Sequence, residues 1–231
     1  MTPFVSLIVL ALVAAVLVAL GWWLLVASEG VYLGRRVVIL LYDLFASHYD
    51  EIKHYSKEYD HALLAQPIMS SITPLKSPLV LDAATGTGRL PLALLRHKQF
   101  QGKIIGADLS LPMLNHAVYK FDGDKRVSLI RTPAEHLPFA DDTFDVVSCL
   151  EALEFMVNIE VVLHELIRVL RPGGLLFVTN RIHTRFMPGK TRSDDEMKAL
   201  LKAFGLVQVE VEYWQVDYNR VWARKPGKSN A

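Results

Sequence analysis

An uncharged stretch of 25 residues, Pro3–Ala27, constrains the fold of this chain more than any other feature. A helix rises about 1.5 Å per residue, so this stretch reaches about 37 Å and exceeds a hydrocarbon core of about 30 Å. A cleaved signal peptide has a basic start and a shorter apolar stretch, whereas this chain begins Met-Thr-Pro-Phe. We therefore expect residues 1–30 to be an uncleaved anchor that contacts the lipid bilayer through residues 3–27.

The flanking residues predict the direction of this anchor. Arg35 and Arg36 are the only basic residues near either end, and Trp22 and Trp23 suit an interfacial aromatic belt. Because basic residues favour the cytoplasmic side, we expect a single-pass membrane protein whose remaining residues are cytoplasmic.

Residues 31–77 are predicted to form amphipathic helices that act as a juxtamembrane segment or lid. The first of them, residues 37–45 (VVILLYDLF), is too short to cross a bilayer. This helix either packs on the following domain or lies along the membrane surface with Arg35 and Arg36 at the lipid headgroups. The sequence leaves both alternatives open.

Overall composition excludes several classes of protein. The formal net charge is +1, so no broad basic surface is expected for nucleic acid. The single cysteine, Cys149, rules out an intramolecular disulfide framework and a multi-cysteine zinc site, and we expect no metal. Cys149 lies in an apolar run and is interpreted as a buried hydrophobic residue.

Short apolar runs alternate with helical stretches after residue 78, which is typical of a parallel sheet covered on both faces. A helix at residues 194–204 with Ser193 as its cap, and two further strands, are predicted near the carboxyl end. The residues beyond 224 are expected to form a tail. The predicted strands are 79–81, 103–107, 127–131, 144–148, 175–179, 207–213 and 219–224, and the earlier helices are 90–97, 111–119 and 159–170.

A glycine-rich turn, LDAATGTGRL, joins the first predicted strand to the first helix. Glycines let the backbone turn sharply and approach a ligand beside the amides of a helix N-terminus. Pro91 replaces the third glycine of the dinucleotide fingerprint, and no phosphate-binding lysine is present, so a polyphosphate ligand is disfavoured. Asp82, at the strand end, would repel phosphate but attract an ammonium group. The turn therefore favours a cationic ligand.

A second acid, Asp108, ends the next strand in the run IIGAD, 20 residues after Gly88. A carboxylate at this place in a nucleotide-binding sheet accepts both ribose hydroxyls. Its alternative role is a helix cap before residues 109–114.

Four motifs, LDAATGTGR, IIGADLS, RTPAEHLPFADDTFDVVSC and HELIRVLRPGGLLFVTN, together resemble the class I S-adenosylmethionine-dependent methyltransferases. The resemblance covers residues 78–178 and is to the branch of ubiquinone and menaquinone C-methyltransferases and phospholipid N-methyltransferases. It implies an α/β, Rossmann-like, doubly wound seven-stranded sheet in the order 3-2-1-4-5-7-6, with strand 7 antiparallel, over residues 78–224.

The same resemblance implies S-adenosyl-L-methionine as the cofactor. Asp82, Gly86 and Gly88 would hold its methionine end and Asp108 its ribose. Glu135 is alternatively an exposed loop acid, and Tyr49, from a YDLFASHYD segment, a packing aromatic. The implied cofactor-binding residues are Asp82, Ala83, Gly86, Gly88, Asp108, Leu109, Met113, Ala134, Glu135 and Leu150, with Tyr49 as a further contact and Glu151 beside Leu150.

Methyl transfer needs alignment of the nucleophile with the methyl group and, for a phenol or a quinol carbon, a base. The candidates for that base are His183, Glu154 and His48, with His54 nearby in the sequence; His183 is alternatively a solvent-exposed loop residue. An anchor favours a lipophilic small-molecule acceptor, such as a quinone precursor or a lipid headgroup. Two alternatives remain. The chain is a methyltransferase for a protein or a soluble metabolite in which the helix only targets it to the membrane, or it is a non-catalytic scaffold tethered to the membrane. The sequence does not predict an oligomeric state.

Overall fold

The computed structural model describes residues 3–53, 56–75, 77–182 and 186–227. Helix α1, Pro3–Trp22, continues through one π-helical turn, Trp23–Ala27, and the two together are long and apolar enough to cross a membrane. None of the side chains of α1 is buried by the rest of the chain. A helix that is apolar on all sides then needs another apolar environment, such as a lipid bilayer.

Short helices follow α1 and lead to the sheet. The second, α2, has one buried face and one exposed face, so it packs on the domain through Val38. Two of these helices are extended by a 3₁₀ or π turn, at residues 46–48 and 61–65. The helices are α2 (Arg35–Phe45), α3 (Tyr49–Lys53), α4 (Lys57–Asp60) and α5 (Gln66–Ile72).

Strands and helices alternate from residue 79 onward, as predicted. Each strand lies within a few residues of its predicted position, except that the fifth is longer at both ends. The elements are β1 (Leu79–Ala83), α6 (Arg89–Arg96), β2 (Lys103–Asp108), α7 (Leu111–Phe121), β3 (Val127–Arg131), β4 (Phe144–Cys149), α8 (Ile159–Val169), β5 (Leu170–Arg181), α9 (Asp194–Ala203), β6 (Val207–Gln215) and β7 (Tyr218–Arg224).

The seven strands form one sheet in the order β3-β2-β1-β4-β5-β7-β6. Strand β7 is antiparallel to both of its neighbours, and the other described pairs are parallel. The predicted order and the antiparallel seventh strand are confirmed. The winding reverses between β1 and β4, which leaves a crevice above the carboxyl ends of these strands.

Both faces of the sheet are covered by apolar side chains, which explains why β4 is buried along its whole length. One core lies under α8 and α9, with Leu163 and Leu166 at its centre. The other core lies under α5 and α6, where Ile68 and Leu64 pack near Phe177. Residues before position 78 thus contribute directly to the core of the domain.

Polar caps begin three of the longer helices. The Ser110 hydroxyl accepts from the Met113 amide at the start of α7, and Asn158 caps α8. The predicted cap Ser193 is confirmed, and it forms a reciprocal capping box with Glu196 at the start of α9.

We expect Gly88→Ala to lower the free energy of unfolding more than Gly123→Ala. Both glycines have positive φ, 83° and 74°, so alanine costs about 1–2 kcal/mol at either position. At Gly88 the new Cβ would also lie 2.4 Å from the Phe121 ring, whereas at Gly123 nothing lies within 4 Å. This overpacking adds about 1–3 kcal/mol. Chemical denaturation of the detergent-solubilised chain checks the difference, and equal losses would show that the Phe121 contact is not tight.

Candidate active site

A cavity of about 130 Å³ lies over the carboxyl ends of β1, β2 and β4 and is roofed by α2 and Tyr49. Its wall combines the glycine-rich turn with residues that precede the sheet. The lining residues are Arg35, Val38, Ile39, Tyr42, Tyr49, Ala84, Gly86, Asp108, Leu109, Ser110, Met113, Thr132, Ala134, Glu135, Leu150, Glu151, Ala152, Phe155 and Met156.

The structure brings most of the predicted cofactor-binding residues to this one cavity. Three others, Asp82, Ala83 and Gly88, are buried beneath its wall and do not line it. Gly88 instead packs against the Phe121 ring. The predicted residues on the wall are Gly86, Asp108, Leu109, Met113, Ala134, Glu135, Leu150 and Tyr49.

Asp108 fixes the geometry of the glycine-rich turn. Its Oδ2 accepts from the amide of Gly86 at 2.8 Å, and its Oδ1 accepts from the amide of Ser110 at 2.9 Å. Burial raises the pKa of Asp108, although these amide hydrogen bonds oppose the rise. Each carboxylate oxygen has a second lone pair, so the side chain can still accept hydroxyl groups of a ligand.

Asp82 lies beneath the turn with 3% of its surface exposed. Its Oδ2 accepts from the Thr85 hydroxyl at 2.7 Å, and its Oδ1 accepts from the Ser148 hydroxyl at 2.7 Å, across β1 and β4. Burial raises the pKa of Asp82 to about 6 in spite of these hydrogen bonds. A nearby cation would favour its ionised form.

The wall charges and the turn fit a cationic nucleoside ligand. Gly86 has φ 55°, and a Cβ added there would enter open space, so its backbone is free to approach a ligand. Asp108 and Glu135 face the cavity, as does Glu151, whose charge is already compensated by Lys53 and Arg89. The exposed Arg35 is 3.3 Å from Glu135 and neutralises little of this charge. A sulfonium and an ammonium group, as in S-adenosylmethionine, suit this excess of carboxylates.

Polar contacts hold the roof of the cavity to the sheet. Asp50 in α3 accepts from the Thr87 hydroxyl at 2.6 Å and pairs with Lys120 of α7. Asp43 in α2 accepts from the hydroxyl of Ser110. The helices that roof the cavity are thus hydrogen-bonded to the turn and to the cap of α7.

Glu151 is the centre of a second set of contacts. Its carboxylate is 2.6 Å from Arg89 and 2.9 Å from Lys53, and it accepts from Gln215 at 2.9 Å. Burial alone would raise the pKa of Glu151, but the charges of Lys53 and Arg89 outweigh burial, and the pKa is lowered. Glu151 is therefore ionised at neutral pH.

The predicted bases do not meet on the described cavity wall. Glu154 is buried behind it, where the Tyr218 hydroxyl donates to its carboxylate, and burial raises the pKa of Glu154. His48 is exposed on the roof, and its Nδ1 lies 2.9 Å from the Ser47 hydroxyl. His183 and His54 lie outside the described residues.

A cluster that was not predicted joins the turn after α1 to the site. Glu29 lies 3.0 Å from Arg181 and accepts from the Tyr42 hydroxyl at 3.1 Å. Arg181 also approaches Glu154 at 3.4 Å. Tyr42 lines the cavity, and burial raises its pKa well above the usual range. The YDLFASHYD segment contained this signal, but only Tyr49 was predicted as a contact.

No cluster of three or more possible metal ligands occurs within residues 3–53, 56–75, 77–182 and 186–227.

Comparison with known proteins gives consistent results. Residues 81–178 match the model of a methyltransferase domain family. A demethylmenaquinone methyltransferase of Lactiplantibacillus plantarum is 36% identical over 139 residues, which cover 59% of each chain. This chain spans less than two thirds of the length of the curated relatives it matches.

Solved structures support the fold. An S-adenosylmethionine-dependent methyltransferase from Aquifex aeolicus aligns with a TM-score of 0.55 at 22% identity, covering 73% of this chain and 98% of that one. The [4+2]-cyclase SpnF aligns with a TM-score of 0.68 at 18% identity, covering 84% and 97%. At these identities the likeness shows the fold alone.

The sheet, the glycine-rich turn and the matched family define an S-adenosylmethionine-dependent methyltransferase domain of class I. Within that class, the chain is similar to demethylmenaquinone methyltransferases. The resemblance inferred from the four motifs and the cofactor it implied are confirmed.

Because the folded-state pKa of Asp82 is raised from 3.8 to about 6, its contribution to stability is fully present below pH 3.8 and is lost as pH rises to about 6. The rise corresponds to about 3 kcal/mol. We expect Asp82→Asn to remove this part of the pH dependence in the ligand-free chain, while the part due to Asp108 and Glu154 remains. Chemical denaturation at pH 4 to 7 measures the free energy of unfolding of both chains. Identical pH profiles for parent and variant would contradict the raised pKa of Asp82.

Proposed function

We propose that the chain is a membrane-anchored methyltransferase that transfers a methyl group from S-adenosylmethionine to a lipophilic small molecule, with a quinol-type ring as the leading acceptor. The observation that carries this proposal is the composition of the cavity wall. Val38, Ile39, Phe155 and Met156 add an apolar surface to the same wall as the carboxylates. An aromatic ring with an isoprenoid chain suits such a wall.

The cofactor supplies an electrophilic methyl group on a sulfonium. In our proposal, Asp108 accepts the ribose hydroxyls, and the backbone at Gly86 lies against the methionine portion. Ala134 and Glu135 lie along the adenine. The roof helices exclude water and align the acceptor, and alignment alone accounts for several kcal/mol of the barrier.

Glu151 is the residue we propose to orient the acceptor. It lines the cavity and is ionised, so it can accept a hydrogen bond from a ring hydroxyl. Lys53 and Arg89 make it a weak base, and it is held in place by both. Tyr42 stays protonated because burial raises its pKa, and it donates to Glu29.

The anchor supports a substrate dissolved in the bilayer. Pro3–Ala27 is followed by Arg35 and Arg36, and a basic flank favours the cytoplasmic side. In this proposal the cytoplasmic domain stays beside the membrane, where a lipophilic acceptor is concentrated. The relative from Lactiplantibacillus plantarum is named for a demethylmenaquinone substrate, which agrees with a quinol-type ring.

Incubation with labelled S-adenosylmethionine, followed by fractionation of membrane lipids, quinones and proteins, tests the acceptor class. We expect label in the quinone fraction. Label in protein alone would refute the lipophilic acceptor, and cofactor binding with no transfer to any fraction would favour a scaffold.

We expect Asp108→Ala to weaken the binding of S-adenosylmethionine by about 1–3 kcal/mol, because hydrogen bonds to a charged group are lost. This corresponds to about 5- to 150-fold in Kd. Asp141→Ala is the matched control, since Asp141 is an exposed carboxylate that does not line the cavity. Titration calorimetry measures both, and an unchanged affinity for Asp108→Ala would remove this residue from the cofactor site.

We expect removal of residues 1–20 to give a chain that still binds cofactor. This deletion retains Trp23 and Glu29, which bond to Phe186 and Arg181. Turnover on a long-chain acceptor in vesicles should fall far more than turnover on a short-chain analogue, because only the former depends on enrichment at the membrane. Equal loss of turnover on both acceptors would favour the alternative in which the helix only targets the protein to the membrane.

A further inference from the structure

Helix α2 has an inner face and an outer face. Val38, Ile39 and Tyr42 lie on the inner face and line the cavity. On the opposite side, Leu40 and Leu44 are 56% and 65% exposed. Leu33, 43% exposed, lies just before the helix, and Arg36 lies one turn before Leu40 on the same side. We call Arg36, Leu40 and Leu44 the outer face of α2.

The base of α1 is packed tightly against α2. Ser28 and Val31 in the connecting turn are buried, and a Cβ added at Gly30 would lie 2.9 Å from Leu41 and 3.1 Å from Val37. This contact is near the middle of α2, so neither end lies more than about 9 Å from it along the axis. Helix α2 therefore sits at the level where α1 leaves the domain.

Aromatic residues cluster where α1 meets the domain. The Trp23 ring stacks on Tyr32 with centroids 5.0 Å apart, and its Nε1 donates to the Phe186 carbonyl at 3.1 Å. Trp22 contacts the same Phe186 ring. Tryptophan and tyrosine concentrate where a bilayer meets water, and an amphipathic helix there sinks about 5–10 Å into the boundary.

We propose that the outer face of α2 lies in the bilayer interface, so that α2 is a membrane-facing lid past which a bilayer-dissolved acceptor enters the cavity. The occupant of this surface is lipid, because the Gly30 contact holds α2 beside the end of the apolar α1. Arg36, which forms no salt bridge within the described residues, is available for anionic headgroups. The entry route rests on the proposed function, whereas the lipid contact can be tested without it.

Single labelled cysteines in the full-length chain test the contact. Cys149 is fully buried, and burial raises the pKa of its thiol well above the usual range, so it should not react. Leu40→Cys and Leu44→Cys are labelled with a fluorophore. The chains are reconstituted into phosphatidylcholine vesicles that contain some phosphatidylglycerol, and quenching by brominated lipid is measured.

Two matched controls bracket the result. Leu25→Cys reports on the end of the apolar helix, where the side chain is 45% exposed. Val207→Cys is 46% exposed at the start of β6, beside Arg224 and opposite the cavity end of the sheet. We expect quenching at positions 40 and 44 to exceed that at position 207 severalfold and to approach that at position 25.

The quenching results distinguish the proposed lid from the transmembrane anchor. Quenching at position 25 with none at 40 and 44 would overturn the lid and leave the anchor intact. Quenching at 40 and 44 with none at 25 would support the interfacial lid and refute the transmembrane anchor. No quenching at any of the three would overturn both.

Leu40→Ser/Leu44→Ser should lower turnover on a vesicle-embedded acceptor and leave cofactor affinity unchanged, and unchanged turnover would overturn the entry route.

Discussion

The parallel pairing of β1 with β4 is the constraint on which the rest of the site depends. At this pair the chain changes its direction of winding, so the loops after the two strands diverge and leave a crevice. Asp82 and Ser148 are partners in the register, and their side chains are hydrogen-bonded at 2.7 Å. This buried carboxylate supports the turn that carries Gly86, and Asp108 on β2 fixes that turn from the other side.

The roof depends on charge rather than on apolar packing alone. Glu151 is contacted by a lysine from α3 and an arginine from α6, and Arg89 also pairs with Asp60. Loss of one partner from a buried ion pair costs about 3–5 kcal/mol, because a charge is left without compensation. The helices before the sheet are thus held over the cavity by contacts that a ligand's own charges can strengthen or weaken.

The alternation of strands and helices could be predicted from the local periodicity, and the strand order from the family that the four motifs resemble. The positions of Gly86 and Asp108 on the cavity wall follow from the same motifs. The hydrogen bond from the Ser148 hydroxyl to Asp82, 66 residues away along the chain, is a contact that no local pattern encodes. The cavity wall formed by Val38 and Ile39 was missed for a similar reason, since it depends on how a helix outside the motifs folds back.

The buried turn at Ser28–Val31 also governs how the domain can move. A glycine- and serine-rich tether would let the domain tumble independently of its helix. Here the helix, the turn and the sheet are joined by packing and by the Glu29–Arg181 pair, so the domain is not carried on a flexible tether. In a membrane, such a domain would keep one side towards the bilayer while it diffuses in two dimensions. Its encounter rate with a partner dissolved in the same leaflet would then be governed by lateral diffusion rather than by reorientation.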